Sequence, residues 1–474
     1  MSGWFGLALF PLVGIAMILT GLPAFLVLIG AAGLAAAWIV LAGDGALLGA
    51  LPNRMVGLLE SDLLQALPLF VMMGALINRL PLADILFRAG CRLFRRPTLA
   101  ALGLGALLAP MNGSVGASVA VLSRSVRPML AQAGVEPVER TALVAAASTL
   151  GVVIPPSLVL ILLGDAMMGA HTIASNIAGR SDQIINTQDI FRAALAPAAL
   201  TLALWAGIVA WRGRGPKTDA SQSSASRSDL MIAAATAAFI LILLGGVASG
   251  LFYAVEAAAM GCIALLAAGW VTRALTAAAL ADALRSTLEI SGALFALLIA
   301  ATTFTLTLRI LGTDRLLTGL IGALPGGPTI AVASVLALVG VSALALDAFE
   351  IIFVIVPILM PGLLVRAADA AWVSALTILT LQASFLVPPV GYAIMMARGA
   401  ELEPVRARPL AGALAPFLIA QLLVVMLALA IPPVTHFFDR APPPSAPKNR
   451  LSDDEVSKKF DALAPEPPPA LDLK

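Results

Sequence analysis

Ser148 to Met167 reads STLGVVIPPSLVLILLGDAM, and Leu381 to Gly399 reads LQASFLVPPVGYAIMMARG. Each is an apolar run interrupted by two adjacent prolines. A proline has no N–H, and its ring collides with the carbonyl one turn earlier, so neither run continues as an unbroken helix. One such break is an ordinary kink of a membrane helix. Two at corresponding positions call for a common explanation.

The positions do correspond. Pro155-Pro156 and Pro388-Pro389 stand 233 residues apart, and so do Pro128 and Pro361, Leu130 and Leu363, and Leu143 and Leu376. TGLPAFLVLIG (Thr20 to Gly30) and SGLFYAVEAAAMG (Ser249 to Gly261) open the two halves in a similar way. Paired halves with helix breaks in matching places are the sequence mark of a secondary transporter whose half-helices end near the bilayer midplane.

Composition agrees with a lipid environment. Of 474 residues, 60% are hydrophobic and 12% charged, and mean hydropathy is +0.98, far from the roughly 25% charged residues of soluble domains. Trp4 to Ala42, Ala193 to Trp211, Met231 to Val255 and Leu410 to Val434 are uncharged or nearly so and reach the length of bilayer-crossing helices. They are too long and too uniformly apolar for barrel strands. About a dozen crossings are expected at about 20 residues each. MSGWFGLALFPLVGIAM has no basic leader and reads as a retained first helix. Cys91 and Cys262 specify neither a disulfide framework nor a metal site, His171 and His436 are too few for a histidine centre, and a net charge of +2 points to no nucleic-acid partner.

The expected organisation is a first half over 1–211, with a re-entrant hairpin at 110–130 and a broken helix at 140–165. A polar, basic loop follows over 212–229. The second half covers 230–438, with a hairpin at 344–365 and a broken helix at 371–398. A proline-rich tail over 439–474 has the composition of disordered chain. The loop carries Arg212, Arg214, Lys217 and Arg227 against two aspartates and is a cytoplasmic candidate by the positive-inside bias.

Four stretches carry candidate chemistry. In MNGSVGAS, Asn112 and Gly113 favour a turn and Gly116 permits positive φ. Arg124 and Arg127 then precede Pro128 too soon for a crossing, as in a hairpin arm or, alternatively, a surface loop. In ASTLGVVIPP, the prolines free carbonyls around Thr149 to Val153, and with the Ser148 and Thr149 hydroxyls and the Gly151 backbone these suit a hard cation such as Na+. In LALDAFEIIF, Asp347 falls opposite Ser114 at the 233 offset, at a hairpin tip. An intramembrane acid there has an ion-related role or is a helix N-cap, with Glu350 complementing the helix dipole. In LQASFLVPP, Gln382 and Ser384 replace Thr149 and Gly151 and offer side-chain oxygens. Glu256 and Glu289 read as interfacial or interhelical acids.

These motifs together resemble the large membrane subunit (M, DctM-type) of tripartite ATP-independent periplasmic (TRAP) transporters. NGSVGAS followed by RPML and TLGVVIPPS is similar to the first-half signature. ASGLFYAVEAAAMG, LALDAFEIIFVIVPILMP and VPPVGY are similar to the second-half elements, in order over residues 5 to 435. The resemblance implies an all-α, multi-pass protein of inverted repeats with two re-entrant hairpins and unwound helices, working as an elevator in a bacterial cytoplasmic membrane. It implies Na+ as coupling ion, an organic acid (carboxylate) substrate, a small four-helix membrane subunit on another polypeptide, and a periplasmic solute-binding protein. It places substrate binding at Asn112, Gly113, Ser114, Gly116 and Ser118. The Na+ sites fall at Ser148, Thr149, Gly151, Val153, Asp347, Gln382 and Ser384, and no enzymatic activity is implied. The long polar stretch Gly164 to Ala194, the tail and the LQASFLVPP variant depart from the family pattern. A tripartite tricarboxylate-type permease or a stand-alone divalent-anion:Na+ symporter shares the same hairpins, and a channel is a third reading. An intramembrane protease lacks a GxSxG-like nucleophile and paired aspartates.

Overall fold

Proline and glycine set the helix boundaries throughout. The computed structural model describes residues 2–43, 48–49, 51–59, 62–179, 185–212 and 226–439, all helix, turn or loop. The first half runs α1 (Ser2–Thr20), α2 (Ala24–Leu41), α3 (Leu51–Leu59), α4 (Asp62–Arg79), α5 (Leu82–Phe94), α6 (Pro97–Leu108), α7 (Val115–Ser125), α8 (Arg127–Gln132), α9 (Pro137–Val153), α10 (Leu158–Ala178) and α11 (Thr187–Arg212). The second runs α12 (Arg227–Ser249), α13 (Ala254–Val271), α14 (Ala277–Ile310), α15 (Thr313–Gly322), α16 (Pro328–Ser342), α17 (Ala348–Glu350), α18 (Val356–Arg366), α19 (Ala370–Ser384), α20 (Tyr392–Ala400) and α21 (Ala407–Ala430). A π turn over Ile351–Ile355 joins α17 to α18. Its cause lies in Pro357, which cannot answer the carbonyl of Phe353 and opens the ladder there.

The two halves repeat element by element. Ala24 and Ala254 open α2 and α13, 230 residues apart, and Pro97 and Pro328 open α6 and α16, 231 apart. Val115 and Ala348 open α7 and α17, and Pro137 and Ala370 open α9 and α19, each 233 apart. The packing repeats with exchanged partners. Helix α2 lies on α14 while α13 lies on α4; α10 lies on α18 while α20 lies on α7; α11 lies on α19 while α21 lies on α9. Such reciprocal pairing is what a two-fold relation between the halves produces.

Hydrogen bonds sort the helix ends into two groups. At one end Arg79 meets Asp282 at 2.9 Å and Arg88 meets Asp229 at 3.5 Å. Arg96 donates to the Ala210 carbonyl, Arg212 to that of Ala413, and Arg140 meets Glu401 and Glu403. At the opposite end Thr313 donates to the Gly3 carbonyl, Arg366 to those of Ile321, Leu324 and Gly326, Trp372 to that of Ala428, and Asp369 holds His436 at 2.6 Å. The hairpin of α6 and α7 enters from and returns to the first, basic end. The hairpin of α16 and α18 enters from the opposite end.

Several boundaries differ from the sequence expectation. The first hairpin begins at Pro97 and the second at Pro328, not near 110 and 344, because their first arms are apolar helices that composition alone merges with their surroundings. Nine helical stretches among the described residues are long and apolar enough to cross a bilayer, or ten if the bent pair Leu64–Arg79 and Leu82–Phe94 counts as one span. The opening run Trp4 to Ala42 is two helices, broken at Gly21 to Pro23. Arg227 to Asp229 belong to α12, and the polar stretch from Gly164 to Ala194 is helical up to Ala178 and again from Thr187. Arg212 ends α11 and Ser226 caps α12, while residues 213–225 and the proline-rich tail beyond Asp439 lie outside the described residues.

Candidate functional site

The first hairpin tip is built around Gly113, whose φ of +77° is the left-handed turn that glycine adopts without a Cβ penalty. Ser114 caps α7, its hydroxyl accepting from the Ala117 N–H at 3.1 Å. Ser118 donates to the Ser114 carbonyl at 3.0 Å, and the Asn112 amide donates to the Ser118 hydroxyl at 3.4 Å. Asn112 is buried, and its Oδ1 has no partner. A buried acceptor without a donor costs roughly 1–3 kcal/mol, which marks this oxygen as a position where a ligand would be favoured.

The second tip uses the same register with an acid. Asp347 caps α17, its Oδ1 accepting from the Ala348 N–H at 2.7 Å, while the Glu350 Oε2 accepts from the Asp347 N–H at 3.0 Å. Together they form a reciprocal capping box. Of the two sequence readings of Asp347, the N-cap describes its hydrogen bonding. The correspondence of Ser114 and Asp347 extends to function at the backbone, since each caps the returning arm of its hairpin.

Each first arm lies against a proline-broken helix. A Cβ on Gly151 would collide with the Ala109 carbonyl, and one on Gly105 would meet Ala147 at 2.7 Å. In the other half, a Cβ on Gly340 would stand 3.3 Å from both Thr380 and the Ser384 hydroxyl. Thr380 and Ser384 are the 233-offset counterparts of Ala147 and Gly151. Gly151→Ala is therefore expected to destabilise the protein by roughly 1–3 kcal/mol through overpacking. Gly207→Ala, in open space on α11, is expected to be neutral or stabilising by up to about 1 kcal/mol through helix propensity. Thermal unfolding of the two variants in detergent checks the difference in sign.

At the first break α9 ends at Val153, and the Ile154 N–H still reaches the Leu150 carbonyl at 3.0 Å. Thr149 therefore lies within the helical ladder, and its carbonyl is not freed as the sequence reading expected. Pro155 and Pro156 cannot answer the carbonyls of Gly151 and Val152. Ser157 caps α10 and donates back to the Val152 carbonyl at 3.4 Å, leaving Gly151 and Val153 as the carbonyl candidates. The Ser148 and Thr149 hydroxyls donate within α9, to Ala145 and Ala146 at 2.8 Å each, which leaves their lone pairs for a cation. At the second break Ser384 donates to Thr380 at 2.9 Å. Gln382 is fully buried, and both ends of its amide lack partners. Its oxygen suits a cation and its nitrogen an anion. Both proline pairs have a cis peptide bond between their members.

The structure brings part of the predicted set together. Asn112, Gly113 and Ser114 line a cavity of about 140 Å³ with Phe349 of the second tip, Leu158 of α10, and Gly74, Asn78, Arg79, Ser286 and Ile290 of α4 and α14. Gly116 faces the Tyr392 hydroxyl, placing the start of α20 over the first tip. Ser118 sits behind the tip and supports it. The Ser148 to Val153 and Gln382 to Ser384 groups lie on α9 and α19, which pack on each other, so the candidates form two half-sites. Arg79, a guanidinium at the cavity wall held by Asp282, was missed from sequence, where it reads only as the basic end of α4. Arg124 donates to the Asn78 carbonyl, and Arg127 lies near Glu401 at 4.0 Å. Among the described residues no cluster of three His, Cys, Asp or Glu side chains is present.

Residues 12–434 match the family model described as tripartite ATP-independent periplasmic transporter, DctM component. The ectoine/5-hydroxyectoine TRAP transporter large permease of Ruegeria pomeroyi is 28% identical over 89% of this chain and 96% of its own length. The C4-dicarboxylate TRAP transporter large permease of Rhodobacter capsulatus is 23% identical over 70% and 75%. The sialic acid TRAP transporter permease of Haemophilus influenzae is 24% identical over 81% and 61%. In fold, the chain is similar to the Alcanivorax borkumensis YdaH transporter, with a TM-score of 0.61 and 18% identity over 82% of this chain and 88% of that one.

Proposed function

The chain belongs to the DctM-component family of tripartite ATP-independent periplasmic transporters, and from this premise we propose that it imports an organic acid in symport with Na+. It acts as the large permease subunit in a bacterial inner membrane. A small four-helix subunit and a periplasmic solute-binding protein complete the system, the latter delivering the carboxylate. The observation that carries this reading is the single cavity joining the first hairpin tip, Phe349 of the second and Leu158 after the broken helix to α4 and α14.

Helices α2, α4, α13 and α14, which pack reciprocally, form the scaffold. The hairpins with α9, α10, α19 and α20 form the inverted-repeat unit that carries substrate past it as an elevator. Na+, a hard cation, takes oxygen ligands: the Gly151 and Val153 carbonyls with Ser148 and Thr149 in one half, and Gln382 with Ser384 in the other. Asp347 supplies negative charge at the second hairpin tip while capping α17. The start of α7 turns its free N–H groups and positive dipole end toward the carboxylate at Asn112 to Ser114. Each Na+ entering down the membrane potential contributes about 2.3 kcal/mol per 100 mV, so more than one offsets the charge of the incoming acid.

The test is uptake into vesicles holding the permease and small subunit, with the binding protein supplied outside. Uptake is expected to require both the binding protein and an inward Na+ gradient. Equal uptake with K+ in place of Na+ would remove the coupling, and saturable exchange separates a carrier from a channel.

A further inference from the structure

At the basic end, three discontinuous segments converge on a patch of exposed apolar side chains. Helix α5 turns 68° away from the axis of α4 and carries Arg88 and Arg92, followed by Arg95 and Arg96. Arg96 donates to the Ala210 carbonyl, which sets Trp211 and Arg212 beside it. Arg88 pairs with Asp229 at 3.5 Å, which brings in Arg227 at the start of α12. Leu93, Phe94 and Trp211, among these arginines, are 75%, 47% and 70% exposed. The acids nearby are Asp84 one turn before Arg88 on α5, Asp229, and Glu136 and Glu139 on the side of Arg212. Six arginines thus stand against four carboxylates.

We propose that this patch is a binding site for anionic phospholipid, with the arginines on the phosphate headgroup and Leu93, Phe94 and Trp211 against the acyl chains. Charge complementarity selects the headgroup, and the planar guanidinium fork matches phosphate oxygens. The exposed apolar residues select a lipid over a free anion, which would leave them facing water. Helix α5 has the build of an interfacial helix, with Ala83, Ile85, Leu86 and Phe87 buried and Arg92 and Arg95 outward. The arginine excess also identifies this end as cytoplasmic, where it meets anionic lipid.

The full chain is reconstituted in phosphatidylcholine vesicles containing either brominated phosphatidylglycerol or brominated phosphatidylcholine. The Trp211 signal is taken as the difference from Trp211→Phe. Brominated phosphatidylglycerol is expected to quench it more strongly than brominated phosphatidylcholine at equal content. The double variant Arg95→Gln/Arg227→Gln is expected to lower that preference on the order of tenfold or more, at about fivefold per basic side chain near the surface. Arg95→Lys/Arg227→Lys is expected to keep most of it, because the charge remains. Quenching that ignores the headgroup, or a preference that survives the glutamine variant, overturns the assignment. Loss of the preference on adding millimolar inorganic phosphate would do so too, by reassigning the patch to a free anion.

Discussion

Gln382→Leu is expected to make the protein more heat-stable in Na+-free buffer and to abolish the additional stabilisation that the proposed Na+ site would give the unaltered chain. Both amide atoms of Gln382 are buried without partners. Each such orphan costs roughly 1–3 kcal/mol, and replacing the group by an apolar one of similar size removes that cost. Leucine therefore relieves the empty site, and it offers no oxygen to a cation. A ligand that binds only the folded state stabilises it by RT ln(1 + [L]/Kd), about 2.7 kcal/mol at one hundred times Kd. That increment is the one leucine should erase. The two effects have opposite signs, which separates a ligand role from a packing role. A leucine variant that is less stable without Na+, or that keeps the full Na+ response, sinks the assignment of Gln382 to the ion site.

The 233 offset read from the prolines was richer than the prolines themselves. It placed Ser114 opposite Asp347, and both cap returning hairpin arms. It placed Pro137 opposite Ala370, where the two broken helices begin. Local chemistry made these legible, because caps, turns and missing N–H groups are properties of a few adjacent residues. The first arms α6 and α16 were not legible, since an apolar helix that enters the membrane and one that crosses it have the same composition. Thr149 was misjudged by two residues, because the helix holds its ladder to the last residue before the prolines. The orphaned state of Gln382 and the place of Arg79 on the cavity wall depend on neighbours hundreds of residues away. No local pattern encodes them.

Mutating the two ends of the Arg79–Asp282 pair is expected to move carboxylate binding in opposite directions. Arg79 lines the cavity at its basic-end wall, and Asp282 reaches it across α4 and α14 at 2.9 Å. Their side chains are 36% and 59% exposed, a setting in which an ion pair contributes about 0–1 kcal/mol after solvent screening. The carboxylate substrate proposed above would therefore displace Asp282 at small cost, exchanging one anionic partner of the guanidinium for another. Hydrogen bonds to a charged group contribute roughly 1.5–3 kcal/mol, so Arg79→Gln should weaken binding on the order of tenfold to one hundredfold. Asp282→Asn removes the competitor and should tighten it. Thermal stabilisation of the purified protein by a panel of small carboxylates measures both variants against the unaltered chain. Loss of affinity in both would assign the pair to holding α4 against α14. An unchanged response in Arg79→Gln would remove the guanidinium from the substrate path. With Na+ at its proposed place on α9 and α19, the Na+ response is expected to stay intact in either variant.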